Sequence, residues 1–252
     1  MSKKLDRHVQ IRNLLLQHHE MKTKDLANLL QVTPETLRKD LDELQKQSLL
    51  VRVHGGVRLY NTPYEIPVEV RKLENRKEKQ VISYYAFKHI QDGNVVYLDS
   101  SSTVILGLDN LIQKKDLTIV TNSLIIAQTC IQYDCDVIIA GGHIIKSGIR
   151  TYDYFATQVI DAVQIDIAIV GSEGLMDANG LTTSASELGF KKHVLKQSKK
   201  VIAVCDSTKF NEKSPYQFCK FEEIDLLITT ILSDENKKLI KDVKEVNEVI
   251  WK

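Results

Sequence analysis

The stretch TKDLANLLQVTPETLRKDLDEL, residues 23–44, decides how the chain begins. Thr23 is a good helix N-cap, and Leu26, Leu29 and Leu30 follow at helical spacing. A tight turn falls at Gln31-Val32. Thr33 then caps a second helix with Pro34 at its first position, where a missing N–H is harmless. Leu37, Leu41 and Leu44 stand at i, i+4 and i+7, so one stripe of this second helix is core. Glu35, Thr36, Arg38 and Lys39 take the opposite face. That layout is a helix-turn-helix whose second helix enters a DNA major groove. An ordinary helical hairpin with a solvated charged face shares it.

The flanks favour DNA. Upstream, Leu5 to His19 predicts a first helix whose Leu5, Val9, Leu15 and Leu16 complete a three-helix core. Downstream, Leu49–Val53 and Val57–Tyr60 predict two short strands turning at Gly55-Gly56. Helix-turn-helix plus hairpin makes a winged helix. Its wing presents Arg52, His54 and Arg58, groups suited to phosphate contacts. His54 reads equally well as a plain turn residue.

Charge is distributed unevenly. Residues 1–60 hold 11 Lys+Arg against 7 Asp+Glu, leaving 23 basic and 26 acidic of the chain's 34 and 33. A head of +4 on a body of −3 fits a nucleic-acid-binding module joined to a partner domain. The 252 residues suffice for two domains. No apolar run approaches the roughly 20 residues that cross a bilayer, and the N-terminus lacks a signal-peptide core. Cys130, Cys135, Cys205 and Cys219 show no CxxC pairing, so zinc is not expected and a reduced, cytoplasmic chain is the simplest reading.

Two of the four prolines, Pro63 and Pro67, interrupt all periodicity, which predicts an extended linker over residues 61–75. From Arg76 onward short apolar runs alternate with helical segments: Val95–Asp99, Leu117–Thr121, Val137–Ala140, Ile165–Gly171, Val201–Cys205, Leu226–Thr230 and Val249–Trp251. Such alternation predicts a mainly parallel α/β sheet over residues 76–252, buried on both faces. Ligands bind beyond the carboxyl ends of such strands. The candidates are therefore Asp99, Ser100, Ser101, Ser102 and Thr103; Thr121, Asn122 and Ser123; Gly141 and Gly142; Glu173; and Asp206 with Lys209. Hydroxyls and free N–H groups at helix starts suit an anion, and Lys209 supplies a cation. The sum is a pocket for a small, phosphorylated, hydroxyl-rich molecule. For Thr121-Asn122-Ser123 plain helix capping is an open alternative. Gly141-Gly142 also reads as a simple turn, and Glu187 as the closing member of a Ser184…Glu187 capping box.

In order along nearly the whole chain, these motifs resemble the DeoR-type bacterial transcriptional repressors. The head matches in Val32-Thr33, Thr36-Leu37-Arg38-Lys39-Asp40-Leu41, Leu44 and His54-Gly55-Gly56. The body matches in Glu78-Lys79, Asp92-Gly93, Asp99 through Thr103, Thr121-Asn122-Ser123, Gly141-Gly142, Gly180 and Asp206 through Phe210. The resemblance implies a winged-helix operator-binding head and a sensor domain similar to ribose-5-phosphate isomerase that binds a phosphorylated sugar. It further implies release from a sugar uptake or catabolic operon by that effector, with assembly as a homodimer or homotetramer. Three positions depart from the family pattern. Ser101 stands where a glycine is usual, Lys39 where a second arginine is usual, and Glu173 where aspartate is frequent. Lysine lacks the bidentate fork of arginine, so Lys39 suits phosphate better than guanine.

A sugar-phosphate-responsive repressor needs no cofactor. The competing reading is a phosphosugar isomerase carrying a DNA-binding head, with Asp99, Glu187 and Asp206 as proton-transfer groups. A transcriptional activator would use the same residues as a repressor.

Overall fold

The computed structural model describes residues 3–18, 20–46, 50–53, 55–59, 67–176 and 179–250. His54, Tyr60 and the first part of the expected linker lie outside them. The chain divides into two compact units, Met1–Glu74 and Asn75–Lys252.

The first unit runs α1 (Lys3–His18), β1 (Glu20–Lys22), α2 (Thr23–Leu29), α3 (Pro34–Lys46), β2 (Leu50–Val53), β3 (Gly56–Leu59) and α4 (Val68–Arg71). Leu26, Leu37, Leu41 and Leu44 join Leu15 and Ile11 in one buried cluster. Each contributes on the order of 2 kcal/mol by leaving water. Ile11 was not among the expected core residues; Val9 is only half-buried, and the side chains of Leu5 and Leu16 lie outside those described. The turn after α2 is a Schellman closure. Gln31 N–H returns to Asn28 O and Val32 N–H to Ala27 O, both at 3.1 Å, with Gln31 left-handed at φ 52°.

Thr23 departs from its expected role. Lys22 holds the N-cap position, and the Thr23 hydroxyl donates instead to Gly55 O at 3.3 Å. The cause is β1, which pairs antiparallel with β3 and brings Lys22 opposite Gly56. Gly56 is accordingly a strand residue, paired with Val53, rather than half of the turn. A Cβ there would lie 2.6 Å from Met21 O. The expected extended linker also needs correction. Residues 68–71 are helical, with Val68 and Val70 buried and α4 lying against α1.

The second unit contains α5 (Arg76–Phe87), β4 (Val95–Leu98), α6 (Ser102–Ile105), β5 (Leu117–Thr121), α7 (Leu124–Cys130), β6 (Cys135–Ile139), β7 (His143–Ile145), β8 (Arg150–Tyr152), α8 (Tyr154–Asp161), β9 (Ile165–Gly171), β10 (Leu175–Met176), β11 (Gly180–Thr183), α9 (Ala185–Gln197), β12 (Ser198–Val204), β13 (Tyr216–Cys219), β14 (Leu226–Thr230), α10 (Asp234–Leu239) and β15 (Val246–Val249). Seven strands form one parallel sheet in the order β6-β5-β4-β9-β12-β14-β15. Each overlaps one of the seven apolar runs. Tyr97, Ala168, Val170 and Ala203 meet α8 and α9 on one face. Their neighbours Val96, Leu98, Ile169 and Ile202 point the other way and are equally buried. Short antiparallel pieces, β7-β8 and β10-β11-β13, flank the sheet. The strand order reverses between β4 and β9, so a crevice opens at their carboxyl ends. Among the described residues no helix is long and apolar enough to cross a membrane.

Candidate functional site

On the first unit, α3 presents Glu35, Arg38 and Lys39 to solvent, with Thr33 exposed just before it and Thr36 half-buried. The Thr33 hydroxyl accepts the Thr36 N–H at 3.2 Å, the expected cap. Arg38 pairs with Glu35 at 3.2 Å, which lowers the carboxyl's pKa and raises that of the guanidinium. Arg52 is placed differently from its expected role as a phosphate grip. Its Nη2 donates to Asp42 and, at 3.2 Å, to Arg38 O, bracing the wing against α3. Arg58 is half-buried on β3, opposite Val51 and Glu20. His54 lies outside the described residues.

The opposite side of α3 carries a feature that sequence reasoning missed. Asp40 is only 2 % exposed and accepts from Arg7 Nε and from Arg7 Nη2 at 3.0 Å, with His8 Nε2 3.2 Å away. This fork clamps α3 to α1, and Asp40 holds the Arg7 pKa above its usual value.

On the second unit, the crevice between β4 and β9 is built around Asp99. Its Oδ2 accepts from Gly171 N at 2.8 Å and from Lys191 Nζ at 3.0 Å, and Lys191 also donates to Gly171 O at 3.2 Å. Lys191, on α9, is 5 % exposed. Burial pushes its pKa down, but Asp99 and Glu187 outweigh that and hold it above the ordinary value. Beside it, Arg150 Nε lies 2.8 Å from Glu187 Oε1, and Thr183 donates to Glu187 Oε2 at 3.3 Å. The Ser184 side chain makes no capping bond, so Glu187 is half of a buried ion pair and not of a capping box. Glu173 is half-buried near Lys191. Neither Arg150 nor Lys191 stood among the sequence candidates.

The hydroxyl run sorts into different roles. Ser100, Ser102 and Thr103 are buried. Ser101 is half-exposed and caps α6, accepting from Val104 N at 3.3 Å. Thr121, Asn122 and Ser123 are fully buried, and their polar atoms already bond to the protein. Thr121 donates to Leu98 O, Asn122 to Thr151 O, and Ser123 caps α7. They hold the loop, and Ser123 makes the helix cap that the capping alternative expects. Gly141 and Gly142 lead into the β7-β8 hairpin. Gly142 sits at φ 141°, where a Cβ would lie 2.3 Å from Tyr152 O, so it is a turn residue by necessity.

Farther along the sheet, Asp206 caps the 3-10 turn 207–211 through Thr208 N at 3.1 Å, and its Oδ2 lies 3.7 Å from Lys79 Nζ. Burial raises the Asp206 pKa, but Lys79, Thr208 and Lys209 together bring it below the ordinary value. Lys209 pairs with Glu212, which caps the end of that turn.

Family models match both units: a DeoR-like helix-turn-helix domain over residues 7–62 and a DeoR C-terminal sensor domain over residues 74–230. The chain belongs to the DeoR family. Among curated DeoR-type relatives, the HTH-type transcriptional repressor GlcR of Bacillus subtilis is 32 % identical over 233 residues, covering 91 % of this chain and 90 % of its own. The glycerol-3-phosphate regulon repressor of Escherichia coli is 28 % identical over 229 residues, covering 90 % and 91 %. Ribose 5-phosphate isomerase A of Methanocaldococcus jannaschii superposes with a TM-score of 0.41 at 18 % identity, over 54 % of this chain and 55 % of that one. A likeness this partial says nothing further about activity.

In this DeoR-family chain Ser101 is matched by Gly171. A Cβ on Gly171 would lie 2.5 Å from Ser101 Cβ and 2.7 Å from its Oγ. Gly171→Ala alone is expected to destabilise the second unit by about 1–3 kcal/mol through overpacking. Adding Ser101→Gly should restore most of that loss in urea unfolding. No recovery in the double variant would show that the two positions are not coupled.

Proposed function

We propose that this DeoR-family regulator represses a sugar uptake or catabolic operon and leaves its operator when a phosphorylated sugar binds the second unit. The observation that carries the reading is the pairing of an exposed Arg38 face on a clamped α3 with a second unit whose strand ends gather Asp99, Lys191, Arg150, Glu187, Asp206 and Lys209. The names of the relatives support it: two are repressors, one of a glycerol-3-phosphate regulon. The DNA-binding set is Thr33, Glu35, Thr36, Arg38, Lys39 and Arg58, with Arg52 as a brace. Around the crevice, Ser101, Glu173 and Lys209 are the half-exposed groups that reach a ligand first. The functional division is a head over residues 1–60, a connection over 61–75 and a sensor over 76–252. A head this small reads only a few base pairs, so at least a homodimer acts on cytoplasmic operator DNA.

A sensor reading is favoured over an isomerase. Asp99, Glu187 and Asp206 each sit in a buried ion pair, with Lys191, Arg150 and Lys79 respectively. Proton transfer to any of these carboxylates would neutralise it and break that pair.

The test is fluorescence anisotropy on DNA upstream of the neighbouring operon, at fixed salt because phosphate contacts make affinity salt-dependent. One phosphosugar is expected to weaken binding while its unphosphorylated parent does not. Arg38→Ala is expected to lower specific affinity roughly 10- to 100-fold and relax sequence preference. Undiminished specific binding by that variant would remove Arg38 from base reading.

A further inference from the structure

We infer that a cavity at the amino ends of β12 and β14 binds a nucleoside di- or triphosphate. The inference goes beyond the proposed sensor reading and does not rest on it. The cavity measures about 700 Å³ and lies between the last turns of α9, the first residues of β12 and the strand β13. The crevice at Asp99 and Gly171 opens at the carboxyl ends of the same sheet. β12 runs over Ser198–Val204, so the two places stand roughly 20 Å apart. Lys192, Lys196, Lys199, Lys220 and Lys244 line the cavity against two carboxylates, Glu223 and Asp225. Concave walls with an excess of one charge concentrate the opposite ion.

Both carboxylates are already engaged in the wall. Asp225 accepts from Val201 N at 2.7 Å and from Lys244 at 2.8 Å, and Glu223 accepts from Lys220 N at 2.6 Å. Lys199 pairs with Asp166 at 2.8 Å. Lys192 and Lys196 are placed differently. Both are exposed, one turn apart on the same edge of α9, and among the described residues neither pairs with a carboxylate. Like charges at that spacing repel. The negative end of the helix accounts for Lys196, in the last turn, but not for Lys192 before it. A phosphate held between the two replaces repulsion with charge-assisted hydrogen bonds to both. Size and floor then narrow the ligand. A single phosphate leaves most of a 700 Å³ space empty. The floor is apolar, built from Leu195, Val201 and Phe218, so it suits a flat, weakly polar body. Ser198 donates to Val194 O and Gln217 to Asn179 O, so neither donor is left to choose a base. The cavity therefore reads phosphates and covers a base without selecting it.

The experiment is isothermal titration of the full chain, free of DNA, with adenosine, AMP, ADP, ATP, GTP and inorganic triphosphate. Salt is fixed and magnesium left out, so that the phosphates keep their charge. ATP is expected to bind with a dissociation constant below about 1 mM, ADP more weakly, and AMP and adenosine not measurably. GTP should match ATP within about 3-fold. Inorganic triphosphate, with nothing to set on the floor, should bind about 10-fold more weakly. Lys192→Gln/Lys196→Gln is expected to lower ATP affinity about 10-fold or more while urea unfolding stays as in wild type. Hydrogen–deuterium exchange locates the site, with ATP expected to slow exchange in residues 192–201 and 216–225. No saturable ATP binding, equal binding by the double variant, or protection confined to residues 34–46 would each overturn the inference. Inorganic triphosphate binding as tightly as ATP would overturn the ligand class. A double variant that changes oligomeric state yet keeps its ATP affinity would make the cavity a contact between copies of the chain instead. Release of operator DNA by a sugar phosphate reports on the crevice alone, so the two readings fail separately.

Discussion

Arg150→Met is expected to destabilise the second unit by about 3–5 kcal/mol, the loss typical of breaking a buried ion pair from one side. Arg150 is 1 % exposed and sits on β8, its Nε 2.8 Å from Glu187 Oε1. Removing the cation leaves a buried Glu187 carboxylate beside the 3.3 Å Thr183 bond and the attraction of Lys191, without its charge-balancing guanidinium. The double variant Arg150→Met/Glu187→Leu removes both charges and is expected to recover most of the loss. Urea unfolding followed separately in each unit checks this, since two compact units need not unfold together. The transition of residues 75–252 should move to lower urea while that of residues 1–74 stays in place. A single variant as stable as wild type would show that Glu187 is not held by Arg150.

Asp40→Ala is the second large effect. It is expected to destabilise the first unit by about 3 kcal/mol, at the lower end of the buried-pair range because Arg7 keeps some water contact. Its effect on DNA is expected to exceed that on folding. Asp40 touches no exposed face of α3, yet its loss frees α3 from α1, so operator affinity should fall for every sequence alike. Arg38→Ala should instead relax preference among sequences. Anisotropy against the operator and a scrambled duplex separates the two patterns. Selective loss of operator binding by Asp40→Ala would mean that it acts on bases after all.

The elements most legible in the sequence are those whose side chains leave water together. The central strands of the parallel sheet appear as apolar runs because both faces are covered, while the edge strands β6 and β15 are only partly buried. α3 appears because Leu37, Leu41 and Leu44 mark one stripe. The strands that escaped notice are short, two to four residues each. Glu20–Lys22 has no alternating pattern of its own and is a strand only because β3 offers it partners. The candidate site was readable where it follows the sheet, as at Asp99 and Asp206. It was not readable where a buried charge meets a buried partner far along the chain. Lys191 is 92 positions from Asp99 and Glu78 is 152 from Thr230, and nothing local distinguishes them from solvated residues. Thr121, Asn122 and Ser123 read two ways for the converse reason. Polar residues after a strand look available, but these are needed to satisfy the loop's own backbone.

The order of the sheet also governs how the protein is made. β4 is the first sheet strand to leave the ribosome, yet it lies in the middle, between β5 and β9. Its β5 side is closed soon after synthesis, while its β9 side waits for residues 165–171, about 70 positions later. Through that interval the nascent chain carries an open apolar strand edge beside an already complete DNA-binding head. Pairing across such separations is slow and leaves edges exposed. Slower translation, a lower growth temperature or a chaperone that shields β4 should therefore raise the yield of intact sensor more than the yield of folded head.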